Sequence, residues 1–183
     1  MPLTGQDLIL KMHAIREARP TDVPEIREVA VNTWWTTYQP ILSAEQIGYM
    51  LQQLYNTELL TQQIEQKSQT YLLKLVDNRI AGFAAYAPRT EDPRVFKLHK
   101  LYCLPETKGA GFGRELLQAV EARVLEAGST VLELNVNRFN PSIGFYKKMG
   151  FSIIYEEDVP IGPWWMNDYV MRKVLEQRWQ PIL

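Results

Sequence analysis

A glycine-rich hexapeptide, Lys108-Gly109-Ala110-Gly111-Phe112-Gly113, limits the folds open to this chain more than any other segment. It follows an apolar stretch that ends at Pro105 and precedes an amphipathic helical pattern that ends near Gly128. Glycine permits positive φ angles, so successive N–H groups of such a loop can point at an anion beside the positive end of a helix. The segment therefore predicts either an anion-binding loop between a strand and a helix, or a glycine-rich turn that caps the helix.

Two familiar nucleotide-binding motifs do not match this loop. A P-loop needs four residues between its first glycine and a Gly-Lys-Ser/Thr end, and the loop has no such run. A dinucleotide-binding fold needs G-x-G-x-x-G and an acid about 20 residues on, a spacing that Glu133 meets. The glycines here run G-x-G-x-G, however, and the preceding strands leave too little chain for a doubly wound sheet. A nucleotide-dependent regulator that uses this loop is therefore disfavoured.

Composition excludes several classes of protein. The 183 residues carry a net charge of −1, 46% apolar residues, one cysteine and two histidines. This length suits one domain over residues 1–183. One cysteine cannot form an internal disulfide, and two histidines give no zinc-binding cluster. A near-neutral charge argues against a nucleic-acid binder, and no segment approaches the roughly 20 apolar residues of a membrane span. We expect a cytoplasmic protein without a metal.

The spacing of apolar residues predicts the element order β-α-α-β-β-β-α-β-α-β-β, with a helical first third and a strand-rich remainder. The predicted strands are His13–Ala18, Tyr71–Val76, Ile80–Ala87, Val95–Leu104, Val131–Val136, Phe151–Glu156 and about Trp165–Arg172. The predicted helices are a first one that ends near Tyr38, a second from Ser43 with further turns around Leu59–Ile64, one after Gly113, and Pro141–Met149. We expect the final strands to enclose a loop, Asp158–Pro163.

A second block, Val136–Phe151, has the sequence VNRFNPSIGFYKKMGF. Its presence favours an anion-binding loop over a turn that only caps the helix. Together with Leu101–Pro105 and the glycine loop, it resembles the GNAT superfamily of N-acetyltransferases over about residues 95–157. The resemblance implies an α/β (α+β) fold, in which a mixed, mostly antiparallel sheet of about six or seven strands has helices on both faces. It also implies a splayed central strand pair, acetyl-CoA as cosubstrate, and no metal.

The same resemblance assigns residues to acetyl-CoA. The glycine-loop amides would bind its pyrophosphate, and Leu101, Tyr102 and Cys103 would meet its acetyl and pantetheine groups. Asn140 would bind the pantetheine amides, or cap the following helix, or do both. Lys108 stands where the family prefers glutamine or arginine, but it still supplies a cation beside phosphate.

The chemistry needs an acid and a base. Tyr146 occupies the position of the family's Phe-Tyr tyrosine and is our candidate to protonate the leaving thiolate, the alternative being an aromatic that packs on the sheet. An alkylammonium with a pKa of about 10 must lose a proton before it can attack. His99, Glu133 and ordered water are the candidate bases. An acyl-cysteine on Cys103 is disfavoured, because the sequence shows no Cys-His pair.

A weaker resemblance concerns the acceptor. Thr33–Ile47, His99–Tyr102, Ile161–Gly162 and Asn167–Met171 look like segments of the bacterial PaiA-type spermine/spermidine acetyltransferases. These pieces are scattered along the chain and reach toward both of its ends, beyond the acetyl-CoA core. They imply a polyamine acceptor, with other small amines and protein amines as the alternatives.

Aromatic and acidic side chains on the expected acceptor face could bind a cationic amine. Trp34, Trp35 and Tyr38 are the candidate substrate-binding residues, through cation–π contacts. The candidate carboxylates are Glu156, Glu157, Asp158 and Asp168. The alternative from another class is a GNAT-like module that binds acyl-CoA in a regulatory or protein-acetylating role. Exposed tryptophans on the final strand would suit a homodimer.

Overall fold

The computed structural model describes residues 12–176 as one mixed sheet with helices on both of its faces. The strands are β1 (His13–Glu17), β2 (Thr70–Val76), β3 (Arg79–Pro88), β4 (Val95–Cys103), β5 (Val131–Asn137), β6 (Ser152–Ile161) and β7 (Trp164–Val174). The helices are α1 (Val23–Tyr38), α2 (Ala44–Leu54), α3 (Thr57–Glu65), α4 (Phe112–Glu126) and α5 (Ser142–Lys148). The strand order is β1-β2-β3-β4-β5-β7-β6, and β4 with β5 is the parallel pair in an otherwise antiparallel ladder. The predicted fold class is confirmed.

Side-chain caps set the helix boundaries of the first third. The Ser43 hydroxyl accepts a hydrogen bond from the Gln46 amide at 3.1 Å and starts α2, as predicted. The Asn56 side chain accepts from the Leu59 amide at 2.8 Å and starts a separate helix, α3. The sequence pattern around Leu59–Ile64 predicts only further turns of the second helix, whereas the structure has a separate helix there. The cap on Asn56 is the local feature that separates the two.

The last two strands form a longer hairpin than expected. The predicted loop Asp158–Pro163 is wrong, because β6 continues to Ile161 and the chain turns at Gly162, whose φ is 58°. Val159 and Ile161 are half-buried against the core and alternate with exposed residues, which is the pattern of a strand with one covered face. Pro160 is tolerated there because β6 is an edge strand.

Two apolar cores lie on opposite faces of the sheet. One core packs α1, α2 and α3 against Leu73, Phe83 and Ala85, and we call this side the α1 face. The other packs α4 and α5 against Leu132 and Leu134, and we call it the α4 face. Helices therefore cover both faces, as predicted.

The two central strands separate halfway along their length. β4 and β5 pair from Val95–Leu98 to Val131–Leu134. A bulge at His99 then shifts the register of β4 against β3, so that Lys100–Cys103 continues along β3. The remainder of β5 continues along β7. The expected splayed pair is confirmed, and the bulge gives its local cause, since bulges bend a strand away from its partner.

Gly82 on β3 allows the close approach of the separated part of β4. A β-carbon on Gly82 would lie 2.8 Å from the Cys103 Sγ and 2.8 Å from the Tyr102 carbonyl oxygen. We expect Gly82→Ala to lower the free energy of unfolding by about 1–3 kcal/mol, because the added methyl group overpacks this contact. Urea unfolding followed by circular dichroism measures the change.

The matched control is Gly48→Ala in α2, where a β-carbon would have no neighbour within 4 Å. Alanine has the higher helix propensity, so this change should raise the free energy of unfolding by about 0.5–1 kcal/mol. A loss of similar size in both variants would contradict the role assigned to Gly82.

Candidate active site

The gap between β4 and β5 brings together side chains from both faces of the sheet. Tyr38 from α1 belongs to the core of the α1 face, and Tyr146 from α5 belongs to the core of the α4 face. Burial raises the pKa of Tyr146, and the nearby Tyr38 phenol and Cys103 thiol raise it further. Tyr146 therefore stays protonated near neutral pH, next to the strand end that the sequence analysis assigned to the acetyl group.

Aromatic rings line the α1 side of this gap. The Tyr102 ring centroid lies 6.1 Å from that of Tyr55, and the Trp34 centroid lies 4.4 Å from that of Tyr38. The indole N–H of Trp34 is buried and has no hydrogen-bond partner within residues 12–176. Trp34 and Tyr38 thus lie together, as proposed for substrate-binding residues.

Trp35 does not join this group. It is 36% exposed, and it follows Trp34 by one position, which is about 100° around the helix. Two consecutive helical residues cannot both face the gap. Burial of Trp34 on α1 therefore excludes Trp35 from the same lining.

Alternate residues of the separated part of β4 point to opposite faces. Leu101 and Cys103 pack with the core of the α4 face, and Tyr102 packs with the core of the α1 face. Burial raises the pKa of the Cys103 thiol to about 12. A protonated thiol is a poor nucleophile, so the structure favours a packing role for Cys103.

The glycine loop has the backbone geometry of an anion-binding turn. Gly109 and Gly111 have φ angles of 85° and 84°, and a β-carbon on either would have no neighbour within 4 Å. The amides of Lys108 and Ala110 donate within the loop, whereas the first-turn amides of α4 lack intrahelical acceptors. Gly111 also occupies the N-cap position of α4, so the capping and the anion-binding interpretations are compatible.

Buried side chains hold the loop in place from below. Phe112 is 7% exposed, and its ring lies 5.5 Å from that of His13. The Lys74 ammonium sits 4.8 Å from the Phe112 ring centroid and is paired with Glu115. The exposed Lys108 adds a cation at the rim. Free amides, a helix N-terminus and this cation fit a pyrophosphate group.

Asn140 lies at the junction of β5 and α5. Its side-chain oxygen accepts a hydrogen bond from the Ser142 amide at 2.8 Å, where α5 begins. It is buried, and it acts on the pKa of Tyr38, which places it beside the gap. Its capping role is therefore visible, and its contact with pantetheine stays a prediction.

The structure does not support Glu133 as the general base. Its carboxylate is 1% exposed and accepts hydrogen bonds on one oxygen from Arg89 and on the other from Arg172. Both oxygens are therefore occupied by guanidinium donors and are not free to contact an incoming amine. Glu133 links β5 to its neighbours, which is a structural role.

His99 lines a polar cavity of about 420 Å³ on the α1 face. Desolvation in the cavity, with the charges of Lys100 and Lys97, lowers its pKa, although much of the side chain is exposed. The imidazole is therefore neutral near pH 7 and a weak base. Residues from β3, β4, β5 and β6 contribute to the same cavity, among them Pro88, Lys97, Asn135 and Glu157. Arg89 lines it from the segment after β3.

The four candidate carboxylates of the acceptor site divide into two pairs. Glu156 and Asp158 are exposed and pair with Arg138. Glu157 lines the cavity, and Asp168 lies beside it, since the Asn135 amide nitrogen is 2.8 Å from Glu157 and 3.3 Å from Asp168. Alternation along β6 explains the division, because successive side chains point to opposite faces.

The sequence predicts Asp168 as a candidate acceptor carboxylate but does not predict its burial, and the residue is only 7% exposed. The alternating polar residues of β5, from Glu133 to Asn137, were the available signal that this face carries a polar site. Within residues 12–176, no group of three or more His, Cys, Asp or Glu side chains could hold a metal ion. The same residues include no helix long and apolar enough to cross a membrane.

Curated relatives of this chain are N-acetyltransferases. An uncharacterised N-acetyltransferase of Bacillus subtilis (strain 168) is 28% identical over 158 residues, covering 82% of this chain and 86% of the relative. The spermidine N(1)-acetyltransferase of Thermoplasma acidophilum is 29% identical over 171 residues, covering 88% of this chain and 97% of the relative.

Solved structures share the fold. The PaiA N-acetyltransferase of Thermoplasma acidophilum, crystallised with coenzyme A, matches with a TM-score of 0.78 and 27% identity over 89% of this chain and 99% of that one. The Salmonella typhimurium protein yncA, crystallised with acetyl-CoA, matches with a TM-score of 0.68 and 18% identity over 93% and 98%.

The family model described as "Acetyltransferase (GNAT) family" matches residues 27–151. This range contains both strands of the gap, the glycine loop, and Tyr146. The chain therefore belongs to the GNAT family of acetyltransferases.

Proposed function

We propose that this protein transfers the acetyl group of acetyl-CoA directly to a primary amine of a small molecule, and that the acceptor is a polyamine. Family membership makes the chain an acetyl-CoA-dependent N-acetyltransferase. The observation that carries the proposal is the gap between β4 and β5. It has an anion-binding loop at one end and a polar cavity with carboxylates on the α1 face.

The glycine loop and the first turn of α4 are suited to hold the pyrophosphate. The separated edges of β4 and β5 offer main-chain groups to the pantetheine arm. Acetyl-CoA supplies the activated acyl group and the thiolate leaving group. N–H groups of β4 near Tyr102 and Cys103 can stabilise the negative charge that develops on the acyl oxygen.

Tyr146 is suited to act as the general acid. Its phenol is buried, stays protonated near neutral pH, and lies beside Cys103 at the end of β4. The raised pKa of the Cys103 thiol supports direct transfer over an acyl-cysteine. His99, ordered water and the carboxylates of the cavity remain as candidate proton acceptors.

Two observations support a polyamine acceptor. The Thermoplasma relative is named a spermidine N(1)-acetyltransferase. The charge of Asp168 acts on the pKa of Tyr38, whose ring lies beside that of Trp34, and Glu157 shares the Asn135 amide with Asp168. The proposal includes a cytoplasmic location. It also includes a homodimer that uses Trp165, which is 56% exposed.

The acceptor class is tested by measuring release of the CoA thiol from acetyl-CoA with spermidine, spermine and simple monoamines. We expect kcat/KM to be at least about 10-fold higher for the polyamines, because a second ammonium adds a charge contact worth about 1.4 kcal/mol. Equal rates with monoamines would contradict the polyamine assignment and leave the transferase intact. Thiol release with peptide amines alone would indicate the protein-acetylating role.

Tyr146→Phe tests the general acid. Loss of the phenolic proton should lower kcat by about 10²–10⁴-fold and leave the affinity for CoA unchanged. Steady-state kinetics and calorimetric titration with CoA measure the two quantities. Tyr86→Phe is the control, because Tyr86 is buried in the same core on β3 and should keep full activity.

CoA binding without thiol release from any amine would favour the acyl-CoA-binding module. A Tyr146→Phe variant with full kcat would remove Tyr146 from the mechanism.

Gly111→Ala tests the glycine loop. Positive φ costs a non-glycine residue about 1–2 kcal/mol, and the shifted amides should raise the KM for acetyl-CoA about 10-fold. Gly128→Ala is the matched control, since Gly128 has a φ of 83° and equal open space at the other end of α4. It should lose similar stability in urea and keep its KM. An unchanged KM in Gly111→Ala would argue against pyrophosphate binding by this loop.

A further inference from the structure

Asp168 is a buried carboxylate with one oxygen unsatisfied. It lies on β7 opposite Asn137, at the level where β5 has left β4. Its Oδ2 is 3.3 Å from the Asn135 amide nitrogen, and its Oδ1 has no hydrogen-bond partner within residues 12–176. A buried charge without partners is costly. The other buried carboxylate of the described residues, Glu133, is paired with two arginines. The Oδ1 of Asp168 lacks a hydrogen-bond donor among the same residues.

Asn135 on β5 donates to this carboxylate, and Arg138 from the turn after β5 donates to the main-chain oxygen of Asp168. Lys97 on β4, Glu157 on β6 and Arg138 act on its pKa through their charges. Burial raises the pKa of Asp168, and the charge of Glu157 adds to the rise. The Asn135 hydrogen bond and the cations oppose it. Two carboxylates therefore share one amide donor at the edge of the polar cavity.

Asp168 is also connected to the reacting gap. Its charge acts on the pKa of the Tyr38 phenol, and the Tyr38 phenol acts on the pKa of Tyr146. The Tyr38 phenol is therefore electrostatically coupled to both Asp168 and the proposed general acid. Tyr146 belongs to the α4 face, and Asp168 lies on the α1 face beside Met166 of that core. The carboxylate thus approaches the gap from the side opposite to the acid.

We propose that Asp168 binds the reactive ammonium of the acceptor and accepts one of its protons. This inference rests on the proposed transfer to a primary amine. The amine nitrogen loses two protons in the reaction. Asp168 takes the first and passes it to water, and the nitrogen lone pair forms the bond to the acyl carbon of acetyl-CoA. The second proton leaves as the C–S bond breaks and, through Tyr146, ends on the sulfur.

The other candidate bases suit this role less well. The Glu133 carboxylate is neutralised by Arg89 and Arg172. His99 has a pKa lowered by desolvation and by the charges of Lys100 and Lys97, so its neutral imidazole is a weak base. Asp168 combines a negative charge, a free oxygen and access to the gap.

Asp168→Asn tests the proposal at nearly constant size. We expect kcat/KM for the amine to fall about 100-fold or more at pH 7, with the KM for acetyl-CoA within about twofold of wild type. The wild-type rate should rise with pH as Asp168 loses its proton, and this acidic limb should vanish in the variant. Asp77→Asn, an exposed change in the turn between β2 and β3 where asparagine tolerates the φ of 49°, should leave the rate and its pH profile unchanged.

Stability separates this role from a structural one. The raised pKa of Asp168 means that the fold loses stability as the pH rises through the range in which Asp168 loses its proton. The Asp168→Asn variant has no carboxyl group to ionise at this position and avoids this loss of stability. Its midpoint of thermal unfolding at pH 7 should therefore equal or exceed that of wild type. A lower midpoint with an unchanged pH profile would overturn the proposal. An acidic limb that vanishes in His99→Gln and persists in Asp168→Asn would overturn it as well.

Failure of the proposed function has a different result. A wild type that releases no thiol with any amine would contradict the transferase and leave the binding role open to calorimetry. Spermidine titrated into the CoA-loaded protein should bind wild type and Asp77→Asn with equal affinity, and bind Asp168→Asn at least 10-fold more weakly. Equal binding by all three, or none by wild type, would overturn the inference about Asp168.

Discussion

The separation of β4 from β5 at the His99 bulge is the constraint on which the rest of the site depends. A continuous sheet would seal the two cores from each other, whereas here Tyr38 from one core acts on Tyr146 from the other. Beyond Leu98 and Leu134, the edges of β4 and β5 no longer form hydrogen bonds with each other. Unpaired main-chain groups require a replacement. An extended ligand with amide groups, such as a pantetheine arm, provides one.

Pairing distinguishes Lys74 and Glu133 from Asp168 among the buried charged side chains. The buried Lys74 is neutralised by Glu115 under the glycine loop, and the buried Glu133 is held by two arginines. Both positions are satisfied within the fold. Asp168 is as deeply buried as many core residues but has a free oxygen and a raised pKa. Such a group lowers the stability of the free protein, and function is the usual reason for that cost.

Local sequence chemistry predicts most of the fold, whereas the roles of the site residues stay predictions. The glycine loop and the helix start at Ser43 are local features, and the structure has both of them. Contacts between segments distant in sequence determine the features that the sequence does not predict. The pairing of Glu133 with Arg172 joins strands distant in sequence, and spacing alone cannot show it. The edge strand through Pro160 was interpreted as a loop because its acidic residues resemble a solvated turn. Only the β7 partner makes it a strand.

Positive and negative side chains lie on different strands of the α1 face. Lys100 is 7% exposed and hydrogen-bonds the Gln69 side chain at 2.7 Å, and burial lowers its pKa to about 7. Lys97 lines the cavity from β4, and Glu157 lines it from β6. Asp168 on β7 shares the Asn135 amide with Glu157. The carboxylates thus lie on the β6–β7 side and the lysines on β4, which favours approach of a cationic amine along β6 and β7.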